Sequence, residues 1–378
     1  MASEVATRGE QTWLSSSARA ATVPVDRWPH NAACPCYDRS MKYVALIAAL
    51  LLAVSPASAQ QRTRLLVYST LEPENIADFK KAFEAENPDV EIVWMRDSTG
   101  VVTAKILAEQ EAQRGDAIWG LAVTSTMQLK ARGLLEPYAP KNLAAVRPSF
   151  RDPAEPPSYV GMEGWVAAVC FNTVEAQKFG LPKPSSWFDL LDPRFKNRIV
   201  MPHPASSGTG YFHVSAWIQT FGEEKAWAFM DKLHENIAVY EHSGSRPCRL
   251  AGAGEFPVGI SAEITAAEVR HKGAPVEGLL MKEGGGWEMD TAAILRGTKN
   301  LAAAQRLMDF AASRKANELY ATFVSQVAIE GIASTIPDYP AGVAASMIKN
   351  DFAWASENRA RILAEWARRY EGKAAKKN

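Results

Sequence analysis

Residues 64–120 alternate between short apolar runs and segments of helical periodicity, and this alternation restricts the fold more than any other feature of the chain. A β-α-β-α-β order requires parallel strands joined by right-handed crossovers, so the sequence predicts an α/β protein. Functional loops are then expected at the carboxyl ends of the strands. Strands are predicted at 64–69, 90–94 and 116–120, and helices through Ile76, Phe79 and Phe83 and over 101–113.

A second α/β unit of similar size follows a proline-rich, charged connection at residues 138–157. Its strands are predicted at 165–171, 199–202 and 257–261, with a helix over 223–234. A strand over 291–295, a helix over 301–313 and an amphipathic segment over 351–370 complete the chain. Two such units, with hydroxyl-rich turns at strand ends, indicate a two-lobed protein that closes on a small ligand.

The turn between Pro202 and Gly210 places Ser206, Ser207 and Thr209 at the predicted start of a helix. The first four N–H groups of a helix lack intrahelical partners and the helix dipole places about +0.5 charge there, so an oxyanion is favoured. A simpler alternative is that one of the two serines only caps the helix. A Walker phosphate loop would need Lys after Gly210, and a nucleophile elbow would need Gly two residues before Ser207. Neither residue is present, so nucleotide triphosphate hydrolysis and serine hydrolysis are not supported.

Residues 41–59 have the pattern of a signal peptide: Lys42, an apolar core over 44–54 and a small-residue cleavage site after Ala59. The apolar run of about 12 residues is shorter than the roughly 20 that span a bilayer as a helix. Residues 1–40 are interpreted as an over-long start that is not part of the fold. Without residues 1–59, which hold five basic and four acidic side chains, the net charge is −1, so no strong field for nucleic acid or membrane is expected.

The cysteine content agrees with export. Cys170 and Cys248 are the two cysteines that remain after the leader is removed. In an exported chain an even pair favours a disulfide over two free thiols, so the sequence predicts a Cys170–Cys248 bond. The remaining composition, 47% apolar and 22% charged, is that of an ordinary globular protein.

Several short motifs follow one another in a specific order along the chain. The set resembles the periplasmic binding proteins of ABC importers, in particular the 2-aminoethylphosphonate branch, which is related to ferric-iron and phosphosugar binders. It covers nearly all of residues 62–371. The motifs lie at 66–72, 96–100, 118–120, 169–173, 201–220, 242–245 with 247–248, 259–261 and 349–354.

The resemblance implies a type II periplasmic binding fold, in which two lobes, each a mainly parallel sheet flanked by helices, hold the ligand in the cleft between them. Lobe 1 is expected to comprise residues 60–165 and 288–378, and lobe 2 residues 166–287. The implied protein is a periplasmic monomer without catalytic residues, metal or cofactor. It captures 2-aminoethylphosphonate or a similar small phosphonate and works with a membrane permease. The phosphonate-binding residues carried over by the resemblance are Ser98, Thr99, Ser206, Ser207, Gly208 and Thr209.

The amine end of such a ligand needs a carboxylate or an aromatic face. The carboxylate candidates are Glu72, Glu263 and Glu288, with Asp290 flanking the same strand as Glu288. The aromatic candidates are Tyr68, Trp119, Trp165 and Trp287. Each could equally be a solvated surface group or part of the core. His203 and His213 are interpreted as structural.

Three other functions compete with phosphonate capture. Iron capture in the related branch uses adjacent tyrosines, and residues 60–378 contain no Tyr-Tyr pair. A phosphorylated sugar remains an alternative ligand. A phosphonate-cleaving hydrolase would need a metal cluster or an activated nucleophile, and the sequence indicates neither.

Overall fold

The computed structural model describes residues 61–376. The predicted signal peptide at 41–59 and the over-long start at 1–40 therefore lie outside the described residues. No helix in the described part is both long enough and apolar enough to cross a bilayer. The strands are β1 Thr63–Ser69, β2 Val90–Arg96, β3 Ala117–Ala122, β4 Leu135–Glu136, β5 Val160–Asn172, β6 Ile199–Pro202, β7 Ile237–Glu241, β8 Val258–Ala262, β9 Val276–Leu279, β10 Trp287–Leu295 and β11 Gln326–Val327.

Helices cover the strands and connect them. They are α1 Pro73–Glu86, α2 Thr99–Ala108, α3 Val123–Ala131, α4 Thr173–Lys178, α5 Gly208–Phe221, α6 Glu223–Asn236, α7 Arg246–Gly252, α8 Glu263–His271, α9 Leu301–Ala311, α10 Arg314–Tyr320, α11 Val343–Ser346 and α12 Phe352–Tyr370.

The strands form one sheet whose main path runs β2-β1-β3-β10-β5-β8-β6-β7. β1 pairs in parallel with β2 and β3, and β6 pairs in parallel with β7 and β8. The predicted parallel arrangement is therefore confirmed in both groups. β10 and β5 run antiparallel to each other and connect the two groups. The carboxyl ends of both parallel groups lead into helix N-termini, where the sequence placed the functional loops.

The two connecting strands are longer than the sequence predicted. β5 begins at Val160 rather than residue 165, and β10 begins at Trp287 rather than residue 291. Every position of both strands is buried. The added segments carry Glu163, Glu288 and Asp290, and these charged residues interrupt the apolar pattern on which a strand prediction depends.

Helix α2 also differs from its prediction, because it begins at Thr99 and ends at Ala108 instead of covering 101–113. Ser98 is therefore its N-cap residue and Thr99 its first helical residue. Helix α5 begins at Gly208, after the N-cap residue Ser207, and ends before Gly222, whose φ of 80° is readily adopted only by glycine. The turn from Pro202 to Gly210, indicated by the sequence pattern, thus stands at a helix start, and so do Ser98 and Thr99, which the resemblance implied.

Two large apolar clusters lie on the two parallel groups. The first surrounds Trp119 and the second surrounds Trp217, and the C-terminal helix α12 packs Ile362 and Trp366 into the second. The lobe boundaries given above place residues 288–378 in lobe 1, and these boundaries stay a prediction.

The predicted disulfide is confirmed by its geometry. Cys170 on β5 and Cys248 on α7 have an S–S distance of 2.00 Å and a Cα–Cα distance of 5.3 Å. Both cysteines belong to a small third cluster with Ala251, Ala266 and Val269. The bond therefore links a connecting strand to the helix that follows β7.

Candidate functional site

A cavity of about 420 Å³ lies where the carboxyl ends of the two parallel groups meet. One wall is formed by residues that follow β1 and β2, and the facing wall by residues that follow β6 and β7. β5 and β10 contribute the floor between the walls. The residues used below to describe the lining are Glu72, Arg96, Ser98 and Thr99 on the first wall, Ser207, Gly208, Thr209, Gly244 and Ser245 on the second, and Glu163, Trp165 and Asp290 on the floor.

The starts of helices α2 and α5 both reach the cavity. Ser207 caps α5 by accepting a hydrogen bond on its Oγ from Gly210 N at 3.2 Å, whereas the Ser98 hydroxyl makes no such cap to α2. Gly100 N donates to Ser206 O at 2.8 Å, so the two helix starts are in direct contact. Because both helix dipoles place partial positive charge at these ends, their meeting point favours an anion.

Small residues allow the two walls to approach this closely. A Cβ on Gly208 would lie 2.8 Å from Thr99 Oγ1, and a Cβ on Gly244 would lie 2.4 Å from Thr209 Oγ1. Real Cβ atoms do not come that near to another heavy atom, so glycine is required at both positions for this arrangement. Gly208 thus allows the second wall to approach Thr99 on the first, and Gly244 lies against Thr209 within the second wall.

Ser206 is the one predicted phosphonate-binding residue that does not line the cavity. Its Oγ lies 3.2 Å from His242 Nδ1 and 3.4 Å from His203 O, so the hydroxyl is hydrogen-bonded to these residues and does not face the cavity. The structure therefore brings Ser98, Thr99, Ser207, Gly208 and Thr209 together, and it leaves only the backbone carbonyl of Ser206 at the contact between the helix starts.

A charged network closes the rim of the cavity. Glu72 Oε2 lies 3.1 Å from Arg96 Nη2 and 3.6 Å from Arg249 Nη1, and its Oε1 accepts a hydrogen bond from Ser245 Oγ at 2.8 Å. Two guanidinium groups thus compensate the charge of Glu72. Sequence analysis did not select Arg96, although its place at the end of β2, just before Ser98, is the position at which a parallel sheet carries ligand contacts.

The floor of the cavity is acidic. Glu163 and Asp290 stand opposite each other in the register of β5 and β10, and their exposed fractions are 1% and 5%. Burial raises the pKa of Asp290 to about 7, and burial together with the neighbouring Asp290 raises the pKa of Glu163 well above its usual value. Both shifts favour retention of a proton by the pair, and the two carboxyl groups are close enough to share it. A charged residue inside the otherwise apolar run that forms β5 is the signal that could have identified Glu163.

Glu263 and Glu288 are buried behind the lining rather than exposed in it. Glu263 accepts hydrogen bonds from Val166 N at 2.6 Å and from the Tyr339 hydroxyl, and Glu288 accepts one from Thr124 Oγ1 at 2.7 Å. Burial raises the pKa of each to about 7.

Among the four aromatic candidates, Trp165 lines the cavity. Its ring packs edge-on against Phe212, and its Nε1–H has no acceptor among the described residues. The other three are engaged elsewhere. The Tyr68 hydroxyl donates to Glu109, Trp119 Nε1 donates to the Tyr320 hydroxyl at 2.8 Å, and Trp287 Nε1 donates to Ile348 O at 3.1 Å.

The histidines predicted to be structural lie outside the lining. His213 is buried, which lowers its pKa to about 3, and its Nε2 is 2.9 Å from Ser261 O. His203 lies 3.0 Å from Glu371 Oε2 through its Nε2. Across residues 61–376, no three or more His, Cys, Asp and Glu side chains are grouped in a way that could hold a metal ion.

Residues 121–354 of the chain match the family described as bacterial extracellular solute-binding proteins. An uncharacterized protein of Haemophilus influenzae is 33% identical over 278 residues, which are 73% of this chain and 80% of that protein.

Solved structures share the fold. The periplasmic binding protein AfuA of Actinobacillus pleuropneumoniae, solved with exogenous fructose-6-phosphate bound, is 31% identical with a TM-score of 0.77, and the match covers 82% of this chain and 99% of that one. Iron-bound HitA of Pseudomonas aeruginosa is 18% identical with a TM-score of 0.68 over 80% of this chain and 99% of its own, and at that identity the likeness shows the fold alone. The type II periplasmic binding fold expected from the sequence is confirmed.

Proposed function

Because the chain belongs to the family of bacterial extracellular solute-binding proteins, we propose that it captures a small organic phosphonate or phosphate ester in the periplasm. Proteins of this family bind small ligands and work with the permeases of ABC importers, and the chain is a binding protein of that type. The observation that carries the proposed ligand class is the meeting of two helix N-termini and Arg96 at one cavity.

The phosphoryl or phosphonyl oxygens would lie between the starts of α2 and α5. Hydroxyls of Ser98, Thr99 and Thr209 and the backbone N–H groups at both helix starts supply the donors. Each hydrogen bond to a charged oxygen contributes about 1.5–3 kcal/mol. A few of them, after the cost of ordering the cleft, are compatible with micromolar affinity, about −8 kcal/mol.

Our first candidate within this class is 2-aminoethylphosphonate. The cavity combines an anion-binding wall with an acidic floor formed by Glu163 and Asp290, and this ligand has an anionic and a cationic end. Glu72, one of the carboxylates that the sequence offered for the amine, is already engaged by Arg96 and Arg249. We therefore assign Glu72 to holding the rim closed and not to the amine.

A phosphorylated sugar is the second candidate, and two observations favour it. AfuA, which is 31% identical to the chain, was solved with fructose-6-phosphate bound. The volume of about 420 Å³ is also large for a molecule as short as 2-aminoethylphosphonate, whereas a hexose phosphate would fill more of it.

The test is calorimetry of residues 60–378, refolded to remove any bound ligand, with 2-aminoethylphosphonate, ethylphosphonate, fructose-6-phosphate, inorganic phosphate and Fe³⁺. We expect micromolar binding of at least one phosphoryl compound. Thr99→Ala should weaken this binding about 10-fold or more, because it removes a donor to a charged oxygen. Thr103→Ala is the control, because Thr103 lies one turn further along α2 and its Oγ1 donates to Thr99 O at 2.6 Å, outside the lining. Tight binding of Fe³⁺ with no binding of any phosphoryl compound would refute the proposal.

A further inference from the structure

The strands that join the two parallel groups carry a pair of buried carboxyl groups at the floor of the cavity. Asp290 and Glu163 are cross-strand neighbours on the same face of β10 and β5. Glu163 Oε2 and Asp290 Oδ1 are fully buried and receive no hydrogen bond from any other group in the described part of the chain. Neither residue forms an ion pair within residues 61–376.

Such a pair is costly in a folded protein. Ionisation of both neighbouring carboxyl groups costs free energy because the two negative charges repel each other. Burial away from a cation disfavours even one charge. The surrounding groups do not relieve the cost. Glu263 faces the pair from α8, and Glu288 precedes Asp290 on β10. The Tyr320 hydroxyl on α10 donates its proton to Ala311 O at 3.2 Å and not to the pair. Apolar residues would fill the same places in a sheet at lower free energy.

The same floor contains an unpaired donor. Trp165, on β5 two residues after Glu163, has a buried indole N–H for which residues 61–376 supply no acceptor. One small region of the lining therefore holds oxygens that need donors and an N–H that needs an acceptor. Native proteins rarely leave buried polar atoms in this state unless something else completes them.

We propose that the Glu163–Asp290 pair accepts hydrogen bonds from N–H or O–H donors at the end of the ligand remote from its phosphoryl group, and so selects ligands that carry an ammonium or hydroxyls there. The pair is a specificity-determining element of the cavity. This inference rests on the proposed function, because it takes the phosphoryl end to lie between α2 and α5.

The two sources of donors have different consequences. An ammonium group brings a positive charge that stabilises the fully ionised pair, so the shared proton is released on binding. A sugar hydroxyl can donate to a carboxylate and also accept from Trp165 Nε1, and it leaves the shared proton in place. The number of protons released therefore distinguishes an amine from a hydroxyl.

The experiment compares donor-bearing ligands with donor-free ligands that carry the same type of phosphonate or phosphate group, on the wild-type protein and on variants. The pairs are 2-aminoethylphosphonate with ethylphosphonate, and fructose-6-phosphate with methyl phosphate. Wild type should prefer the donor-bearing member of at least one pair by about 10-fold or more. Asp290→Asn and Glu163→Gln should each reduce that preference by about 10- to 150-fold and change the affinity for the donor-free member by less than about threefold.

The matched control is Asp116→Asn, the same substitution at a buried carboxylate that lies at the opposite end of the strands, bonded to Leu66 N and Thr298 Oγ1. Its preference should equal that of wild type. Calorimetry at pH 7 in two buffers of different ionisation enthalpy gives the proton count, with ethylphosphonate as the reference for the phosphonate's own protonation. We expect proton release for an amine and none for a hydroxyl ligand.

Two results would overturn the inference while leaving the proposed function intact. One is equal affinity of the wild-type protein for the donor-bearing and the donor-free ligand of each pair, although it binds phosphoryl compounds. This measurement needs no variant. The other is an unchanged preference in both Asp290→Asn and Glu163→Gln. Failure of the wild-type protein to bind any phosphoryl compound would instead reject the proposed function itself.

Discussion

Glu288 offers a direct test of how the buried acids affect stability. It lies in β10, is completely buried, accepts a hydrogen bond from Thr124 Oγ1 and stands near the buried Arg359. Burial raises its pKa from 4.5 to about 7, although Thr124 and Arg359 oppose the shift. The folded protein therefore binds a proton that the unfolded chain has lost at intermediate pH.

The sign follows from linkage. A carboxyl whose pKa is higher in the folded state contributes its full stability below the unfolded pKa, loses it as pH rises to the folded pKa, and changes no further above that. A difference between 4.5 and about 7, at 1.36 kcal/mol per pKa unit, corresponds to a loss of about 3 kcal/mol. Most of this loss falls between pH 5 and pH 7.

Glu288→Gln keeps the shape of the side chain and removes the titration. We expect the free energy of unfolding of the variant to be close to that of wild type near pH 5 and to exceed it by about 2–3 kcal/mol at pH 7 and above. Urea denaturation at several pH values, followed by tryptophan fluorescence with the disulfide intact, measures the difference. Titrations elsewhere in the protein cancel in this comparison.

The control is Glu223→Gln. Hydrogen bonds from Arg361 lower the pKa of Glu223, so this group is ionised in both the folded and the unfolded chain above pH 5. Its stability curve should run parallel to that of wild type from pH 5 to pH 8. A Glu288→Gln curve that is also parallel over this range would refute the assignment of a raised pKa to Glu288.

Further substitutions test the walls, the rim and the disulfide. Thr209→Ala should weaken binding of a phosphoryl ligand about five- to 150-fold in calorimetry, whereas Thr209→Ser should restore most of it. Gly208→Ala, whose Cβ would lie 2.8 Å from Thr99 Oγ1 on the facing wall, should prevent closure, and solution scattering should then show no compaction with saturating ligand. Glu72→Gln should change the affinities for 2-aminoethylphosphonate and ethylphosphonate by the same factor, and a selective loss of the amine ligand would return Glu72 to the amine site. Reduction of the Cys170–Cys248 bond should lower the free energy of unfolding by about 2–5 kcal/mol, which chemical denaturation with and without reductant would measure.

The order of the elements and the start of α5 at the cavity could be predicted because each depends on the local residue pattern. Apolar runs identified β1, β2 and β3, and their alternation with helices required parallel pairing, which the register of the strands confirms. The hydroxyl-rich turn before helical periodicity identified the start of α5, whereas Ser98 and Thr99 at the start of α2 came from the family resemblance. The two cysteines left after the leader sufficed for the disulfide, because there was only one way to pair them.

The floor could not be predicted in the same way, because its residues contradict the local pattern. Glu163 and Asp290 are separated by more than a hundred positions and meet only through the pairing of β5 with β10. For a related reason, the sequence could not show which aromatic candidate lines the cavity. Trp119 and Trp165 both lie within predicted strands, and only the order of strands in the sheet determines which face of each strand meets the cavity. A sequence pattern depends on neighbours along the chain, whereas the residues that line this cavity are brought together by the pairing of strands across the sheet.

The position of the acid pair connects ligand selection to closure. The proposed phosphoryl-binding donors stand on two walls that meet through Gly100 N and Ser206 O, and the same walls are linked at the rim by Glu72 and Ser245. The pair stands on the two strands between those walls. A ligand that satisfies only the walls would leave buried oxygens without donors below it, so part of the free energy gained by closure would be lost. A ligand long enough to contact both the walls and the acid pair would gain binding free energy from each contact. The closed cleft can therefore select ligands by their length as well as by their charge.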